Sequence, residues 1–447
     1  MSERPSARSE PGARSSHGRR RLPLWVAGAT ILAAWLAFAA RDPGQGTFAF
    51  FLYLGFASAG YALAMLEIAL RRYPSSAVLA AFVLLAFAWR VPLVLAPAYP
   101  GADVTRYVWD ARLVRAGLSP YSIAPASLAV AHLRTAESWP VNNPEVPSPY
   151  SPGAQAFFLL ATVWSESVLA VKVALLACEA LLALALWRWL LAIGSSPAWV
   201  LAYLWNPLVV FEVARQGHAD VLGALFVVLS ALALSRRRTS AGCVALALAV
   251  SVKPLPLVLA PLLWRRASLR NIGYAAGVLV VLYGSFWIRG GPPVGSIPEV
   301  VRRFRFNGPA FEAVATGSTP LLATALAVVA GLVVAAVVRT RLPATSAAAW
   351  AWPVATTLLF APLVYPWYLV WLAPFLFTRA TLPLLAWTIS IQLVYVTWRL
   401  PPGAAWVVPR WALAVEYGVL LAVGAWAGRK ARRGRLLGEI TPAAGAP

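Results

Sequence analysis

The chain has 447 residues, of which 60% are apolar and only 12% are charged, and its formal net charge is +22. Soluble globular domains carry about a quarter charged residues, so this composition excludes a soluble domain and indicates a membrane protein. The basic excess stands in short clusters between apolar runs and in the tails, which follows the positive-inside rule. Because no separate basic domain exists, nucleic acid is not a predicted partner.

The two ends of the chain are predicted to be basic cytoplasmic tails, a disordered one at residues 1–21 and a second at residues 428–447. Residues 22–427 between them are predicted to form one multi-span membrane domain. The first apolar run, residues 22–40, resembles a signal peptide with a cleavage site. It is longer than a usual signal core, so a retained anchor is favoured.

Apolar segments recur along the chain, and alternating their direction places almost every Arg cluster that flanks a span on the cytoplasmic side, the second external loop excepted. The fold class predicted is an all-α polytopic membrane protein with about 12 transmembrane helices plus re-entrant segments. Both termini are predicted to be cytoplasmic. The predicted spans are residues 22–40, 48–70, 77–97, 168–193, 199–214, 221–234, 272–288, 320–338, 347–364, 366–377, 382–398 and 406–427.

Two further apolar segments are predicted not to cross. Residues 151–164 are short and are expected to dip in and out. Residues 242–264 have basic residues at both ends and Lys253, flanked by proline, in the middle. Proline breaks a helix, so we expect a re-entrant pair of half-helices that is packed by protein or lines a cavity. Lys253 is costly to bury and is therefore a candidate for function. This topology places it near the side opposite the external loops, so a structural or lipid-binding role is the alternative.

The polar segments outside the membrane are predicted at residues 97–150 and 289–319. The first of these loops carries Asp103, Asp110, Glu137 and Glu145. Asp103 follows the exit of a span, where apolar walls and nearby Arg106 would shift its pKa in opposite directions. Such a carboxylate could take a proton from a hydroxyl group. The alternatives are a helix N-cap for Asp103 and an Asp–Arg pair within one loop helix.

Other titratable residues give weaker signals. Glu179 and Glu416 fall within apolar spans and could be functional if they face the bundle interior. The two cysteines lie in apolar stretches without a CxxC pair, and the three histidines are far apart in sequence. No metal site is therefore predicted from spacing.

Short motifs follow one another in a fixed order. They are Asp103-Val104-Thr105-Arg106-Tyr107-Val108-Trp109-Asp110, Gly117-Leu118-Ser119-Pro120-Tyr121, Val141-Asn142-Asn143-Pro144, Tyr150-Ser151-Pro152, Trp205-Asn206-Pro207, Gly217-His218-Ala219-Asp220, Lys253-Pro254, Phe306-Asn307-Gly308 and Pro366-Trp367-Tyr368. This series resembles the GT-C class of membrane glycosyltransferases, especially the bacterial polyprenyl-phosphate-mannose-dependent mannosyltransferases. The chain departs from it at Ala111, Ser151 and Ala219, where relatives often carry Gly, Pro and Asn.

The resemblance implies a GT-C-like fold and an inverting transfer of a hexose, with mannose favoured. The donor would be a polyprenyl-phosphate-linked sugar and the acceptor a glycolipid or polysaccharide, outside the bacterial cytoplasmic membrane and among its lipids. Asp103 maps onto the catalytic carboxylate and would act as general base. No cofactor is implied, because the lipid-linked sugar is a substrate, and use of a divalent metal is left open.

Further residues are predicted to bind substrate. The loop arginines at 302, 303 and 305 would neutralise the leaving phosphate, or else contact anionic lipid headgroups. His218 and Asp220 would bind sugar hydroxyls or form a second acid–base pair, with an N-cap as the alternative for Asp220. Aromatic rings would stack on sugars or form an interfacial belt. The predicted set is Arg106, Tyr107, Asp110, Arg112, Tyr121, Tyr150, His218, Asp220, Arg302, Arg303, Arg305 and Asn307.

A transporter or flippase of lipid-linked sugars is the alternative function. Such a protein is expected to place ionisable residues at mid-membrane and to show two related halves. This chain gathers acids in a loop just outside a span and shows no such repeat. The sequence therefore favours a glycosyltransferase.

Overall fold

The structure, a computed structural model, describes residues 22–71, 73–288, 290–399 and 406–432. The predicted tails at 1–21 and from residue 433 onward lie outside these residues. Within the described part the chain is helical, with one isolated parallel bridge between Phe306 and Leu363 and no strand. The α-helices are α1 (Leu22–Arg41), α2 (Phe48–Ala69), α3 (Ser76–Ala88), α4 (Arg90–Leu95), α5 (Asp103–Arg115), α6 (Pro152–Ala161), α7 (Val168–Ala192), α8 (Val200–Leu204), α9 (Pro207–Val210), α10 (Asp220–Ser235), α11 (Thr239–Val252), α12 (Leu269–Trp287), α13 (Ile297–Arg303), α14 (Pro309–Ala315), α15 (Pro320–Arg341), α16 (Ala347–Leu359), α17 (Leu382–Ser390) and α18 (Arg410–Arg432).

Eight helices of the described chain are long and apolar enough to cross a membrane, and a bent pair brings the number to nine. They are Pro23–Arg41, Phe48–Ala69, Ser76–Leu95, Val168–Ala192, Leu269–Trp287, Pro320–Arg341, Arg379–Arg399 and Arg410–Lys430. Shorter apolar helices, including α10, α11 and α16, fall at other predicted segments. The predicted all-helical, multi-pass architecture is therefore confirmed, with eight or nine spans by length and composition.

The bent pair lies where the sequence predicts the span 199–214. Its halves, Pro197–Leu204 and Pro207–Gln216, meet at 59°. Pro207 lacks the backbone N–H that would continue a helix. The Asn206 side chain accepts from Leu208 N at 3.0 Å and donates to Thr388 Oγ1 at 2.9 Å. Asn206 thus caps the second half-helix and ties the break to α17.

The proline-containing segment folds back on itself. Helix α11 ends at Val252, Lys253 is extended, and a 3₁₀ helix runs from Leu255 to Leu263. Ser240, just before the segment 242–264, donates to Asn271 at 2.7 Å, and Asn271 lies seven residues after the segment ends. The two ends therefore meet at one end of the bundle, and the turn at Lys253 lies at the other.

Lys253 itself corrects the sequence-based topology. Its Nζ atom lies 2.8 Å from Asp220 Oδ1, at the start of α10. The prediction that Lys253 lies near the side opposite the external loops was wrong. Helix α11 has 14 residues and runs beside α10, so a rise of about 21 Å carries Lys253 from the end near Ser240 to the start of α10.

Two glycines permit close helix contacts beside this turn. A Cβ atom at Gly153 in α6 would lie 2.8 Å from the carbonyl oxygen of Ser251 in α11. A Cβ atom at Gly223 would lie 1.8 Å from the ring of Trp371. Only glycine avoids these clashes, so α6 packs on the tip of α11 and the Trp371 ring lies on α10.

A buried ion pair accounts for one of the span carboxylates. Arg90 donates to both oxygens of Glu179 at 2.7 Å, and both side chains are fully buried. Arg90 also donates to the Leu204 carbonyl at 2.9 Å. Bidentate geometry offsets part of the desolvation cost of such a pair. Glu179 therefore joins α4 to α7 and the bent pair, which is a structural role.

Candidate active site

Asp103 opens α5 and lies in a group of charged side chains with His218, Asp220 and Lys253, and this group is called the cleft below. The chain turns into the helix through Gly101, whose φ is +72°. Ala102 is the N-cap, and no side chain caps this helix, so the alternative of Asp103 as N-cap does not apply. Asn142, from the far end of the same loop, donates to Asp103 Oδ1. The Asp103 side chain is 19% exposed, which leaves it partly open toward the cleft.

The surroundings of Asp103 tune its basicity. Burial raises its pKa from 3.8 to about 6, because desolvation disfavours the charged form. The positive charge of Lys253 lowers the pKa and the negative charge of Asp220 raises it. Hydrogen bonds from Asn142 and Tyr150 also lower it. Asp103 is thus a carboxylate that is ionised at neutral pH yet basic enough to take a proton.

His218 follows the bent pair and lies beside Asp103. Its Nε2 atom is 3.7 Å from Asp103 Oδ2, and its Nδ1 atom is 2.7 Å from Glu212 Oε2. The ring stacks on Trp367 with centroids 4.1 Å apart. Burial lowers the pKa of His218 to about 3, so the ring is neutral, while a hydrogen bond with the Glu212 backbone opposes the shift. A neutral imidazole has one N–H donor and one acceptor nitrogen; here Nδ1 faces Glu212 and Nε2 faces Asp103.

Asp220 and Lys253 form the second charged pair of the cleft. Asp220 Oδ1 accepts from Lys253 Nζ at 2.8 Å and from Trp371 Nε1 at 2.6 Å. Lys253 Nζ also lies 3.7 Å from the centre of the Tyr368 ring. Asp220 is the first residue of α10 and forms no N-cap, since Ala219 holds that position.

Arg106 and Asp110 form a closed pair on α5. Arg106 Nε donates to Asp110 Oδ1 at 3.0 Å, and the two side chains are 2% and 1% exposed. Asp110 also accepts from Ser148 and Gln155. Arg106 donates to the Val146 carbonyl at 3.0 Å, and more weakly to those of residues 142 and 143. The pair anchors the loop that carries Asn142, as the predicted Asp–Arg alternative describes.

The predicted aromatic residues divide between cleft and core. Tyr150 hydrogen-bonds with Asp103 and with Tyr107. Tyr107 is 1% exposed, its ring is stacked at 4.2 Å on Phe158, and its hydroxyl accepts from Ala219 N at 3.4 Å. Tyr150 is thus part of the cleft wall, whereas Tyr107 holds α5 against α10.

Arg112 and Tyr121 lie away from Asp103. Arg112 donates to Glu166 Oε2 at 2.6 Å, and both side chains are about one third exposed, at 30% and 33%. Tyr121 is 7% exposed and packs edge-on against Phe286 of α12. These contacts join the first loop to α7 and α12, and substrate binding by the two residues stays a prediction.

The second loop presents its arginines differently. Arg303 is 78% exposed and pairs with Glu299 on the same helix at 2.6 Å. Arg302 is exposed. Arg305 donates to carbonyls of its own loop and lies 3.7 Å from Glu312. Their contacts are therefore local to the loop.

Asn307 is the anchor of that loop. It is 5% exposed, has a φ of +54°, and donates to Glu416 Oε1 at 3.1 Å. Tyr417 in turn donates to the Asn307 carbonyl at 2.6 Å. Glu416 also accepts from Trp387 at 2.7 Å. The span carboxylate Glu416 thus binds the second loop to α18, which is a structural contact.

Several cleft residues were missed as candidates by the sequence analysis. Glu212 lies within an apolar segment, and a carboxylate there is itself a signal of function or pairing. Asn142 and Trp367 stand in the motifs that carry the resemblance, without an assigned role. Trp371 lies outside those motifs and carries no signal of its own, because its partner Asp220 is distant in sequence.

Metal binding has no geometric support among the described residues. No group of three or more His, Cys, Asp or Glu side chains in that part of the chain is arranged to hold an ion.

The comparisons with known proteins agree with the motif resemblance. A search of the curated proteins finds no match. Residues 22–267, more than half of the chain, match the model of the MptA/B family, described as alpha-(1->6)-mannopyranosyltransferase, N-terminal domain. That range contains the cleft residues Asp103, His218, Asp220 and Lys253. The chain therefore belongs to the alpha-(1->6)-mannopyranosyltransferase family and is a mannosyltransferase.

Proposed function

We propose that this mannosyltransferase moves mannose from a polyprenyl-phosphate-linked donor to a hydroxyl group of a glycolipid or polysaccharide acceptor, with inversion at the anomeric carbon. Asp103 is the general base. The observation that carries the proposal is the partly open Asp103 carboxylate, held by Asn142 at the head of a loop helix directly after a span.

The basicity of Asp103 suits this role. A general base works best when its pKa lies close to the operating pH, and burial raises this one to about 6. The acceptor oxygen attacks the anomeric carbon while its proton passes to Asp103. The bond from that carbon to the phosphate oxygen breaks, and its electron pair stays on the leaving phosphate. No cofactor enters these steps, because the lipid-linked sugar is itself a substrate.

We also propose one membrane domain over residues 22–427, with about 12 crossings and external loops at 97–150 and 289–319. Cleft contacts join residues on both sides of position 267, where the family match ends. Asp220 pairs with Trp371, and His218 stacks on Trp367. These contacts support a single unit, with α10, α11 and α16 as short membrane segments.

We propose the side of the membrane on which transfer takes place from the distribution of basic residues. Assigning the basic clusters to the cytoplasm places the first loop outside the bacterial cytoplasmic membrane and both termini inside. A donor carried by a polyprenyl chain would then reach Asp103 from the lipid, since Asp103 follows the span Ser76–Leu95 directly.

The test is sugar transfer by purified protein in lipid, with polyprenyl-phosphate-mannose and a crude envelope-lipid acceptor. We expect Asp103→Asn to lower the rate by about 10²–10⁴-fold, the usual contribution of general-base catalysis. The matched control is Glu137→Gln, because Glu137 is an exposed carboxylate of the same loop that accepts from Val168 N at 3.1 Å.

The outcomes separate the possibilities. The base assignment is supported if Asp103→Asn loses transfer activity but keeps its thermal stability, while Glu137→Gln transfers sugar at the wild-type rate. If Asp103→Asn keeps the wild-type transfer activity, another carboxylate must be the general base, and Asp220 is the first candidate. Absence of transfer with every polyprenyl-linked sugar would overturn the donor assignment. The earlier alternative, a transporter or flippase, is disfavoured by the family membership.

A further inference from the structure

We propose that Lys253 is the binding site for the phosphate group of the lipid-linked donor, held in place by Asp220 and Tyr368. The ligand class is a phosphate monoester or diester on a long apolar chain. The inference rests on the proposed function, because that function supplies a phosphate leaving group at the Asp103 cleft.

The first argument is position. Lys253 Nζ lies 2.8 Å from Asp220 Oδ1, and His218, two residues before Asp220, has its Nε2 atom 3.7 Å from Asp103. The positive charge of Lys253 also acts on Asp103 and lowers its pKa. In an inverting transfer the phosphate leaves from the face of the anomeric carbon opposite the attacking oxygen, so its cation is needed near the base but across the sugar from it.

The second argument is access. The Lys253 side chain is 30% exposed, whereas its partner Asp220 is 7% exposed. An ammonium group has three N–H donors. One donates to Asp220, while the Tyr368 ring lies beneath the charge at 3.7 Å. A donor thus remains for an anion that enters the cleft.

The third argument is that the other buried cations around the cleft are engaged. Arg106 pairs with Asp110 and is 2% exposed. Arg215 is 1% exposed and donates to Asp42 at 2.6 Å. Lys172 is 1% exposed and donates to two backbone carbonyls at 3.0 Å. Each would have to break buried contacts before it could bind a phosphate.

The fourth argument is the fold of the segment. Two prolines after Lys253 end a helix in the middle of an apolar run, which is costly in a membrane because backbone groups lose their partners. The break places the Lys253 side chain at the tip of the segment, beside the catalytic loop. A straight span would bury the same residue among apolar helices, so the break has a functional explanation.

The charges also suit the chemistry. As the bond from the anomeric carbon to oxygen breaks, the phosphate gains negative charge, and a fixed cation stabilises that charge more in the transition state than in the ground state. Asp220 balances the positive charge of Lys253 at a distance of 2.8 Å. The proton from the acceptor stays on Asp103, so Lys253 needs to transfer none.

The experiment measures binding separately from transfer. Purified protein in lipid nanodiscs is titrated with a short-chain polyprenyl monophosphate, the matching polyprenol and inorganic phosphate. We expect the wild type to bind the monophosphate about 10- to 100-fold more tightly than the alcohol, as charge-assisted hydrogen bonds allow. Lys253→Met should abolish this preference, and Lys253→Arg should keep part of it.

Controls address folding and rival sites. Lys430→Met is the matched substitution, because Lys430 lies at the end of α18 beside Trp426. Lys253→Met leaves Asp220 as a buried unpaired charge and could unfold the protein. The double variant with Asp220→Asn removes both charges, and it should fold yet still fail to prefer the phosphate.

Each outcome decides the proposal. The proposal is supported if Lys253→Met and the double variant both lose the preference for monophosphate over polyprenol while Lys430→Met keeps it. Sugar transfer by these two variants should then fall by about 10²–10³-fold. Retained preference in the double variant overturns the proposal, as does a preference lost only in Arg302→Gln. Tight binding of inorganic phosphate alone would mean a free-phosphate site rather than a lipid-donor site. Binding is measured without an acceptor and transfer is measured separately, so failure of the base assignment in the transfer assay is distinguishable from failure of this proposal in the binding assay.

Discussion

Two ion pairs of the same spacing stand in the two long loops, residues 97–150 and 289–319, and have different surroundings. Arg106 and Asp110 in the first loop are 2% and 1% exposed. Arg303 and Glu299 in the second are 78% and 32% exposed. Both are Arg–carboxylate pairs four residues apart on a helix. The first belongs to a buried network that holds the loop beside Asp103, and the second lies at the surface of the described chain.

The difference shows that charge in a loop between membrane helices does not itself mark a substrate site. In the first loop Arg106 of the buried pair donates to the Asn142 carbonyl, and the Asn142 side chain donates to Asp103. The second loop is tied down by Asn307 and Glu416, while its arginines contact their own loop. The cleft's accessible cation comes instead from Lys253, from a segment outside both loops.

The largest expected effect is on the buried pair. Arg106→Met leaves Asp110 buried without its counter-charge, and we expect it to cost about 3–5 kcal/mol of folding free energy. Transfer activity should be lost with the fold. The measurement is thermal unfolding in detergent, monitored by circular dichroism. If Arg106→Met unfolds at the wild-type temperature, the pair of Arg106 and Asp110 contributes no more to stability than the exposed pair of Arg303 and Glu299.

The dependence of kcat/KM on pH is expected to show an effect of intermediate size. Since burial raises the pKa of Asp103 to about 6, kcat/KM should be constant at neutral pH and fall about tenfold per unit below that value. Protonation of a carboxyl with a raised pKa stabilises the fold, so this loss is not unfolding at Asp103. The profile is measured by transfer assays alongside unfolding at each pH. A flat profile down to the ordinary Asp range would exclude Asp103 as the base.

The smallest expected effect is on the exposed pair. Glu299→Gln should change folding free energy by less than about 0.5 kcal/mol, because exposed pairs four residues apart contribute little. Transfer should stay within about twofold of the wild type. The same unfolding and transfer assays check it, with Arg106→Met alongside. A large loss of transfer with normal stability would show that the second loop takes part in substrate binding.

Several features of the fold followed from pattern alone. Runs of apolar residues predicted the helical, multi-pass architecture, because a segment in lipid must satisfy its backbone hydrogen bonds internally. Proline at 254 and 256 predicted the break after Lys253, but the break at Asn206 was not predicted. The signal there was Pro207 within an apolar run, which was taken as one span.

The candidate site was predictable only where it is local. Asp103, Arg106 and Asp110 lie on one short helix, so their sequence spacing set their relation. Glu212 and Trp371 gained their roles from residues distant in the chain, and no spacing rule reaches them. Lys253 was noticed as a costly charge yet assigned to the wrong end of the bundle, since hydropathy gives no measure of how far a folded-back segment reaches.

The sequence by itself determined the membrane class, the family resemblance and the carboxylate that opens the first loop, because composition and short motifs are local properties. The tertiary structure decided which charges face one another. It buried Arg106 against Asp110, left Arg303 exposed, and brought Lys253 to Asp220. The physical reason is that burial and distance, rather than residue type, set whether a charge is neutralised within the fold or left available to a substrate.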